Sequence, residues 1–297
     1  MDVSDLLRDL GGVARRSALL RVIDRAALER AVADGRVLRD ARGLYALPEA
    51  DEARRIAARL GGALCLTSAA LEHGWAVKTV PDKPHVLVSR GRRLPPEARR
   101  VAHIRIGDPP PGRVRDGVTD PSLTLEQCLR SLPYDQPLAV ADSALRSGVG
   151  RQVLETIAES ALGPGAPQIR RVCQNADGRA ANPFESALRA ITHEVPGLEA
   201  TPQVVISDGG FAARPDLVDR RLWLALEADS FEWHGKRSAL ASDARRYNRL
   251  VVRGWIVLRF SYEDVMFHPD DVREVLVAAV ALAELLSEVG RDRLRAA

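Results

Sequence analysis

One segment in the last third of the chain constrains the fold most strongly. Residues 223–226 form a continuous apolar run, Trp-Leu-Ala-Leu, and Glu227 and Asp229 follow it. An uninterrupted apolar run is typical of a strand in the centre of a sheet. The sequence then predicts a helix at 241–253 and a second strand at 255–260. A strand, a helix and a strand in this order indicate an α/β unit.

Acidic residues on two neighbouring predicted strands indicate a metal site. The sequence predicts strands at 203–206 and 212–218 before the apolar run, with Asp216 on the second of them. Side chains two positions apart in a strand share a face, so Glu227 and Asp229 point together and Asp216 can lie beside them. Converging carboxylates repel one another unless a cation neutralises them, and their oxygens suit Mg²⁺ or Mn²⁺. We therefore expect a divalent metal at this edge of the sheet.

Other titratable side chains near this segment are candidates for proton transfer or further acidic contacts. His234 lies five residues after Asp229, where a loop could return it to the site as general base or acid. Asp243, at the head of the next predicted helix, and Glu185, on a helix predicted at 184–195, could supply further acidic groups. A bound metal would lower the pKa of a coordinated water and stabilise charge on a phosphodiester. The alternative is that these acids are ordinary solvated residues at strand ends and turns.

The order of these residues resembles one family of nucleases. The matching segments are residues 214–217, 226–229, 234, 243–248 and 254–260. Together they resemble the domain of unknown function 559, which is related to the very-short-patch-repair (Vsr) endonucleases of the PD-(D/E)XK superfamily. The resemblance covers about residues 182–265. It implies a restriction-endonuclease-like core with a Mg²⁺-dependent nuclease site.

Residue roles follow from this resemblance position by position. It implies a role for six side chains: Asp216 and Glu227 as metal ligands, Asp229 and His234 beside them, Glu185 as the family's helical glutamate, and Asp243 as an acid before the Gly-Trp strand. The superfamily motif ends in a lysine, and Asp229 holds that position here. The Vsr-like branch also lacks this lysine and uses a histidine.

The first fifty residues predict a DNA-binding module. Helical segments at 3–10, 16–22 and 25–33, the last capped by Asp24, precede two short strands around a turn at 40–43. Three helices and a hairpin in this order are the layout of a winged helix-turn-helix. The segments 10–14, 35–38 and 43–47 also resemble the winged-helix domain of AbiEi-type (type IV toxin–antitoxin) antitoxins.

Arginines of this module are candidate DNA contacts. Winged helices usually place the third helix in the major groove and the wing against the backbone. Five arginines could contact phosphates or bases: Arg25, Arg30, Arg36, Arg39 and Arg42. Winged helices also dock proteins, and Glu29 and Asp34 would oppose DNA. A protein partner for this module therefore stays open.

The predicted fold is a multi-domain α/β protein of three parts. Residues 1–50 form the winged helix-turn-helix, residues 51–165 a mixed α/β middle domain, and residues 166–297 the restriction-endonuclease-like α/β core. The middle part includes a strand at 85–88, and its segment 138–146 loosely resembles the second domain of the AbiEi-type antitoxins. The Gly- and Pro-rich stretch at 163–167 marks the second boundary.

Composition limits the location and the partners of the chain. The longest apolar run, at 275–286, is interrupted by Glu284 and is too short to span a bilayer. The first residues lack a signal peptide, and three distant cysteines form no disulfide framework. We therefore expect a cytoplasmic protein with no membrane partner. A net charge of +3 permits a polyanionic partner without requiring one.

Two functions of different kinds follow from these patterns. The first is a DNA-binding, Mg²⁺-dependent endonuclease that hydrolyses phosphodiester bonds in DNA repair, defence or a mobile element. The second is a non-catalytic antitoxin or transcriptional regulator of AbiEi type with a degenerate nuclease fold. An RNA-directed nuclease is a third interpretation, although no RNA-binding module is recognisable. A homodimer also stays open, because double-strand cleavage often requires two subunits.

Overall fold

The computed structural model describes residues 2–229 and 237–295. The mixed α/β class that the sequence predicts is confirmed in these residues. The chain divides into two compact units, residues 1–75 with 79–128 and residues 76–78 with 129–297. The two predicted boundaries, near residues 50 and 165, lie inside the first and the second unit respectively. None of the described helices combines the length and the apolar character that a membrane-spanning segment needs.

The first unit begins with three helices and a small antiparallel sheet. The elements are α1 (Val3–Asp9), β1 (Val13–Arg15), α2 (Arg16–Leu19), α3 (Arg25–Ala33), β2 (Leu38–Ala41) and β3 (Leu44–Ala46). The strand order is β1-β3-β2. Asp24 caps α3 as predicted, because its carboxylate accepts a hydrogen bond of 2.7 Å from the Ala27 N–H. Leu7, Leu19 and Leu28 fill the core between these elements.

A five-stranded sheet forms the rest of the first unit. Its elements are α4 (Glu52–Leu60), β4 (Ala63–Leu64), α5 (Leu66–Glu72), β5 (His85–Val88), α6 (Ala98–Val101), β6 (His103–Ile106), β7 (Val114–Arg115) and β8 (Val118–Thr119). The strand order is β6-β5-β4-β8-β7. The helix α7 (Pro121–Ser131) leads from this unit into the second.

A buried ion pair joins two helices of the second unit. Four helices come first: α8 (Asp135–Arg146), α9 (Arg151–Ser160), α10 (Ala166–Asn175) and α11 (Pro183–Thr192). Arg189 on α11 donates to the Asp142 carboxylate on α8 at 2.5 Å, and Ser186 donates to the same carboxylate at 2.7 Å. Neither Asp142 nor Arg189 has appreciable solvent exposure. The pair therefore fixes α11, the helix that carries Glu185, against α8.

The second unit ends in a four-stranded sheet covered by helices. The elements are β9 (Thr201–Pro202), β10 (Ile206–Asp208), β11 (Phe211–Ala213), β12 (Leu217–Asp219), β13 (Leu224–Asp229), α12 (Arg237–Val251), β14 (Ile256–Ser261), α13 (Tyr262–Phe267) and α14 (Pro269–Arg295). The sheet order is β14-β13-β12-β9, and β10 and β11 form a separate hairpin. β13 runs antiparallel to β12 and parallel to β14. Leu188, Leu217 and Leu276 pack in the core beside this sheet.

The predicted strands 203–206 and 212–218 are corrected by the structure. Of the first, only Ile206 lies in a strand, as the first residue of β10. The second prediction covers two short strands, β11 and β12, which pair with different partners. Pro215 lies between them, and its missing N–H and fixed φ are poorly suited to a continuous ladder. Asp216 therefore lies just before β12 and not within a strand.

Candidate functional site

The central strand β13 carries a buried carboxylate in its second half. β13 pairs on both sides, with β12 and with β14. Leu224, Ala225 and Leu226 are wholly buried, and the Glu227 side chain that follows is 7% exposed. Leu217 faces Leu226 in the antiparallel register, so Asp216 lies one position further along, next to Glu227. The pairing of β12 with β13 thus brings Asp216, directly before β12, beside Glu227.

Glu227 is a buried acid whose hydrogen bonding is incomplete. Burial raises the pKa of its carboxyl from the ordinary value to about 7, against the attraction of Arg246. Asp216 and Asp243 raise this pKa further by like-charge repulsion. Glu227 Oε1 has no hydrogen-bond partner among the described residues. Arg246 Nη2 lies 3.3 Å from Oε1, so this contact is an ion pair without hydrogen-bond geometry.

Asp216 is held in place by neighbouring groups. The Ala228 N–H donates to Asp216 Oδ2 at 2.9 Å, and Gln203 Nε2 donates to Oδ1 at 3.2 Å. Burial nevertheless raises the pKa of Asp216 above its ordinary value. The Gln203 N–H also donates to the Asp216 carbonyl, at 2.9 Å. Asp216 is therefore fixed in orientation toward Glu227.

Gln203 connects Asp216 to the predicted helical glutamate. Its Nε2 also donates to Glu185 Oε2, at 3.0 Å. The Ala181 N–H and the Asn182 amide donate to the same carboxylate, at 2.8 and 2.9 Å. Burial, together with the nearby Asp216 charge, raises the pKa of Glu185. The backbone of Gln203 has a φ of +57°, a conformation unusual for a residue with a side chain. The sequence gives no signal for this bridging role.

Asp229 and Asp243 lie in a different electrostatic setting. Asp229 forms an ion pair with Arg259 of β14, which faces Glu227 in the parallel register. Asp243 lies near the middle of α12 and not at its head as predicted, because the helix begins at Arg237. Its carboxylate is 3.5 Å from Arg246 Nη2 and nearly half exposed. His234 lies outside the described residues. The structure thus groups Asp216, Glu227 and Glu185 closely, while arginines separate the remaining two acids from them.

Two arginines and a tyrosine beside the acids did not emerge from the sequence as site residues. Arg246 Nη2 donates to the Tyr247 hydroxyl at 2.9 Å. The guanidinium carbons of Arg246 and Arg259 lie 4.9 and 4.5 Å from the centre of the Tyr247 ring. Residues 243–248 carry part of the family resemblance, and that is the signal that could have drawn attention to Arg246 and Tyr247.

The carboxylates Asp216 and Glu227 have the ligand chemistry of a minimal divalent-metal site. Within residues 2–229 and 237–295 no group of three or more His, Cys, Asp or Glu side chains is arranged to hold a metal ion. Mg²⁺ is nevertheless often held by one or two carboxylates, with waters and substrate phosphate completing its shell. Asp216 and Glu227 fit that limited role, because Glu227 Oε1 is buried and accepts no hydrogen bond from the part of the chain that the structure describes. The residues present therefore fit a two-carboxylate site.

The arginines predicted to bind DNA are all exposed but differ in their partners. Arg25 pairs with Glu29 at 2.6 Å and Arg36 with Asp2 at 2.8 Å, while Arg39 donates to the Tyr45 hydroxyl at 3.3 Å. The remaining two, Arg30 and Arg42, form no ion pair with any side chain in the described part of the chain. These two arginines are the most available for an external anion.

Fold and site together define a mixed α/β protein with a carboxylate cluster around the buried Glu227 of a central strand. The chain belongs to the family of the uncharacterized protein Rv2248 of Mycobacterium tuberculosis (strain ATCC 25618 / H37Rv), with 31% identity over 250 residues, 80% of this chain and 90% of that protein. The uncharacterized protein MT2308 of Mycobacterium tuberculosis (strain CDC 1551 / Oshkosh) is similar to the same extent, with 31% identity over 250 residues. The chain matches no model of a known protein family.

One solved structure is also similar at a low level. It is the crystal structure of the RV2827C protein from Mycobacterium tuberculosis, with 17% sequence identity and a TM-score of 0.32. The aligned region covers 62% of this chain and 78% of the RV2827C chain. A likeness at this level supports no conclusion about function.

Proposed function

We propose that this chain is a DNA-binding endonuclease that uses Mg²⁺ or Mn²⁺ to hydrolyse phosphodiester bonds. The observation that carries this proposal is Glu227, a buried carboxylate beside Asp216 with an oxygen that has no hydrogen bond to any described residue. Burying such an oxygen is costly unless a partner compensates it. A divalent cation between Asp216 and Glu227 would remove that cost and relieve their mutual repulsion.

Each residue of the cluster has a defined part in this proposal. Asp216 and Glu227 would hold the metal, which would polarise the scissile phosphate and lower the pKa of a bound water. Gln203 and the Ala228 N–H fix the orientation of Asp216. Glu185 accepts a hydrogen bond from the same glutamine, so it helps to hold Gln203 in contact with Asp216. His234 is proposed as the proton-transfer group on the basis of the family resemblance.

The proposed domain arrangement follows the order of the elements. Residues 1–50 would be a winged helix-turn-helix, supported by the order α1-β1-α2-α3-β2-β3. Residues 51–165 would form the middle α/β domain. Residues 166–297 would form a restriction-endonuclease-like core, supported by the β14-β13-β12-β9 sheet that follows α11. This enzyme would act in the cytoplasm, in DNA repair, defence or a mobile element.

DNA contact would begin at the first module. Arg30 and Arg42 are exposed and have no ion pair with the described side chains, so they can bind phosphates without losing a partner. Arg25, Arg36 and Arg39 would first have to leave Glu29, Asp2 and Tyr45. We therefore assign the larger share of binding to the first two arginines.

The test is a cleavage assay with matched variants. Purified protein is incubated with supercoiled plasmid and Mg²⁺ or Mn²⁺, beside Asp216→Asn and Glu227→Gln. Glu274→Gln is the control, because Glu274 is an exposed acid on α14. We expect metal-dependent cleavage by the wild type and the control, and loss of cleavage in both site variants. Equal cleavage by all four proteins, or none by the wild type, would refute the proposal.

One observation favours a non-catalytic regulator as the second candidate. Arg246 and Arg259 already neutralise Glu227 and Asp229 from within the protein. If these pairs are structural, calorimetry should detect no Mg²⁺ or Mn²⁺ uptake. The protein should then bind DNA equally well before and after the Glu227→Gln substitution.

A further inference from the structure

Arg246 is held beside the acids by contacts that leave part of its hydrogen-bonding capacity unused. Its Nη2 is 3.3 Å from Glu227 Oε1 and 3.5 Å from Asp243 Oδ1. Among the described residues, Nη2 donates a hydrogen bond only to the Tyr247 hydroxyl. Its Nε is buried without a hydrogen-bond partner in the described part of the chain. An unpaired buried N–H is unfavourable, so this arrangement leaves the guanidinium ready to accept a better partner.

The guanidinium of Arg246 occupies the place beside Glu227 where a cation would compensate the charge of the carboxylate. Glu227 is nearly wholly buried, and the guanidinium of Arg246 is the positive charge closest to its Oε1 among the described side chains. A divalent ion bound to Glu227 would repel this guanidinium strongly at such a short distance. Tyr247 stacks against Arg246 and accepts its hydrogen bond, so it can retain the guanidinium next to the site after that displacement.

We propose that Arg246 neutralises Glu227 until a divalent metal binds there, and that the displaced guanidinium then binds a backbone phosphate of the nucleic acid. This inference rests on the proposed metal-dependent nuclease site. A guanidinium suits the role because its planar fork of N–H donors matches two phosphate oxygens. Such a contact reads the backbone and not the base sequence.

Arg259 is less suited to the same role. It also lies against the Tyr247 ring, but it is in direct contact with the Asp229 carboxylate. Releasing it would leave Asp229 without that partner. Arg246, in contrast, is released by the same metal that takes over the charge of Glu227. Metal and nucleic acid should therefore strengthen each other's binding, since the coupling between two ligands is reciprocal.

The experiment measures binding and does not depend on cleavage. The affinity for a labelled duplex oligonucleotide is measured by fluorescence anisotropy with and without Ca²⁺, which takes oxygen ligands as Mg²⁺ does. The affinity for Mn²⁺ alone is measured by calorimetry. The variant is Arg246→Gln. The control is Arg249→Gln, since Arg249 is exposed on the same helix.

We expect Ca²⁺ to raise the oligonucleotide affinity of the wild type and the control by about tenfold or more, the range of a charge-assisted hydrogen-bonded contact. Arg246→Gln should lose this increase, while its Mn²⁺ affinity should equal or exceed that of the wild type. A retained increase, or a weaker Mn²⁺ affinity, would overturn the inference.

Two further outcomes separate this inference from the proposed function. If the wild type cleaves plasmid but Arg246→Gln keeps the full Ca²⁺ effect, this inference alone fails. If the wild type takes up no metal, the proposed function fails with it. Circular dichroism checks the folding of Arg246→Gln. Should that variant not fold, Arg246→Lys replaces it, because lysine keeps the charge but lacks the fork. A Ca²⁺ effect as large as that of the wild type in Arg246→Lys would then overturn the inference.

Discussion

Glu227 should make the stability of the folded protein depend on pH in a measurable way. Burial raises its pKa from the ordinary value of 4.5 to about 7. One pH unit of difference between the folded and the unfolded pKa corresponds to about 1.4 kcal/mol, so the full effect is about 3 kcal/mol. The Glu227 side chain is 7% exposed, so solvent screens little of this effect.

The sign follows from which state releases its proton first. The unfolded chain ionises this glutamate near pH 4.5, whereas the folded protein keeps it protonated until about pH 7. The contribution of the protonated Glu227 to the free energy of unfolding is therefore fully present below pH 4.5. This contribution is lost as the pH rises to 7, because the unfolded chain releases its proton first. Glu227→Gln cannot ionise, so it should gain about 3 kcal/mol relative to the wild type across this window.

Urea unfolding without divalent metal, followed by tryptophan fluorescence at a series of pH values, measures this difference. Trp223 and Trp255 lie in the same unit as Glu227 and report its unfolding. Subtracting the free energy of unfolding of Glu227→Gln from that of the wild type at each pH removes the contribution of other titrating groups. Glu274→Gln is the control. A flat difference would refute the reasoning. If the wild type instead became more stable relative to Glu227→Gln as the pH rose, the attraction of Arg246 would lower the pKa of Glu227 more than burial raises it.

Three other variants have expected outcomes that follow from the contacts of the substituted residues. Arg189→Met should lower the free energy of unfolding by about 3 to 5 kcal/mol, because it leaves the buried Asp142 without its counter-ion; urea unfolding measures this. Gly62→Ala should lower the free energy of unfolding, measured by thermal denaturation, by about 1 to 3 kcal/mol. The reason is that an added Cβ would lie 2.4 Å from the Leu87 carbonyl oxygen. Arg30→Ala combined with Arg42→Ala should weaken DNA binding and reduce the slope of log affinity against log salt by about 2, measured by anisotropy.

Matched controls distinguish these effects from general damage. Arg245→Met, on an exposed part of α12, should leave the free energy of unfolding nearly unchanged. At Gly107 an added Cβ would meet Leu87 Cδ1 at an ordinary 3.5 Å, so Gly107→Ala should cost little. Arg8→Ala should not change the salt slope, because Arg8 pairs with Asp5. Equal losses in a variant and its control would contradict the corresponding prediction.

The sequence predicted elements well where local signals were strong. The helix predicted at 25–33 and the strand predicted at 85–88 have the bounds found in the structure, Arg25–Ala33 and His85–Val88. A capping aspartate defines the first, and a short apolar run defines the second. The apolar run before Glu227 likewise predicted the buried strand β13. In each case residues close in the sequence were sufficient to determine the element.

Contacts between distant residues were not predictable in the same way. Gln203 reaches both Asp216 and Glu185, and nothing in its neighbours along the chain indicates this. Its position depends on the break at Pro215 and on the left-handed backbone of Gln203 itself. The partners of the arginines are equally non-local, because Arg259 reaches Asp229 only through the β13–β14 register. Sequence spacing therefore located the acids but not the groups that balance their charge.

These counter-ions make the acids of β13 chemically different, although they are two residues apart on one strand. Asp229 near the strand end has a direct ion pair with Arg259 and remains partly exposed. Glu227 lies deeper, and its ion pair with Arg246 lacks the geometry of a hydrogen bond. A cation from solution would therefore gain more by binding at Glu227 than at Asp229, because the charge there is the less compensated of the two. Under the proposed function, a metal is therefore expected at the pair Asp216 and Glu227, which the register of β13 with its two neighbours sets apart from Asp229.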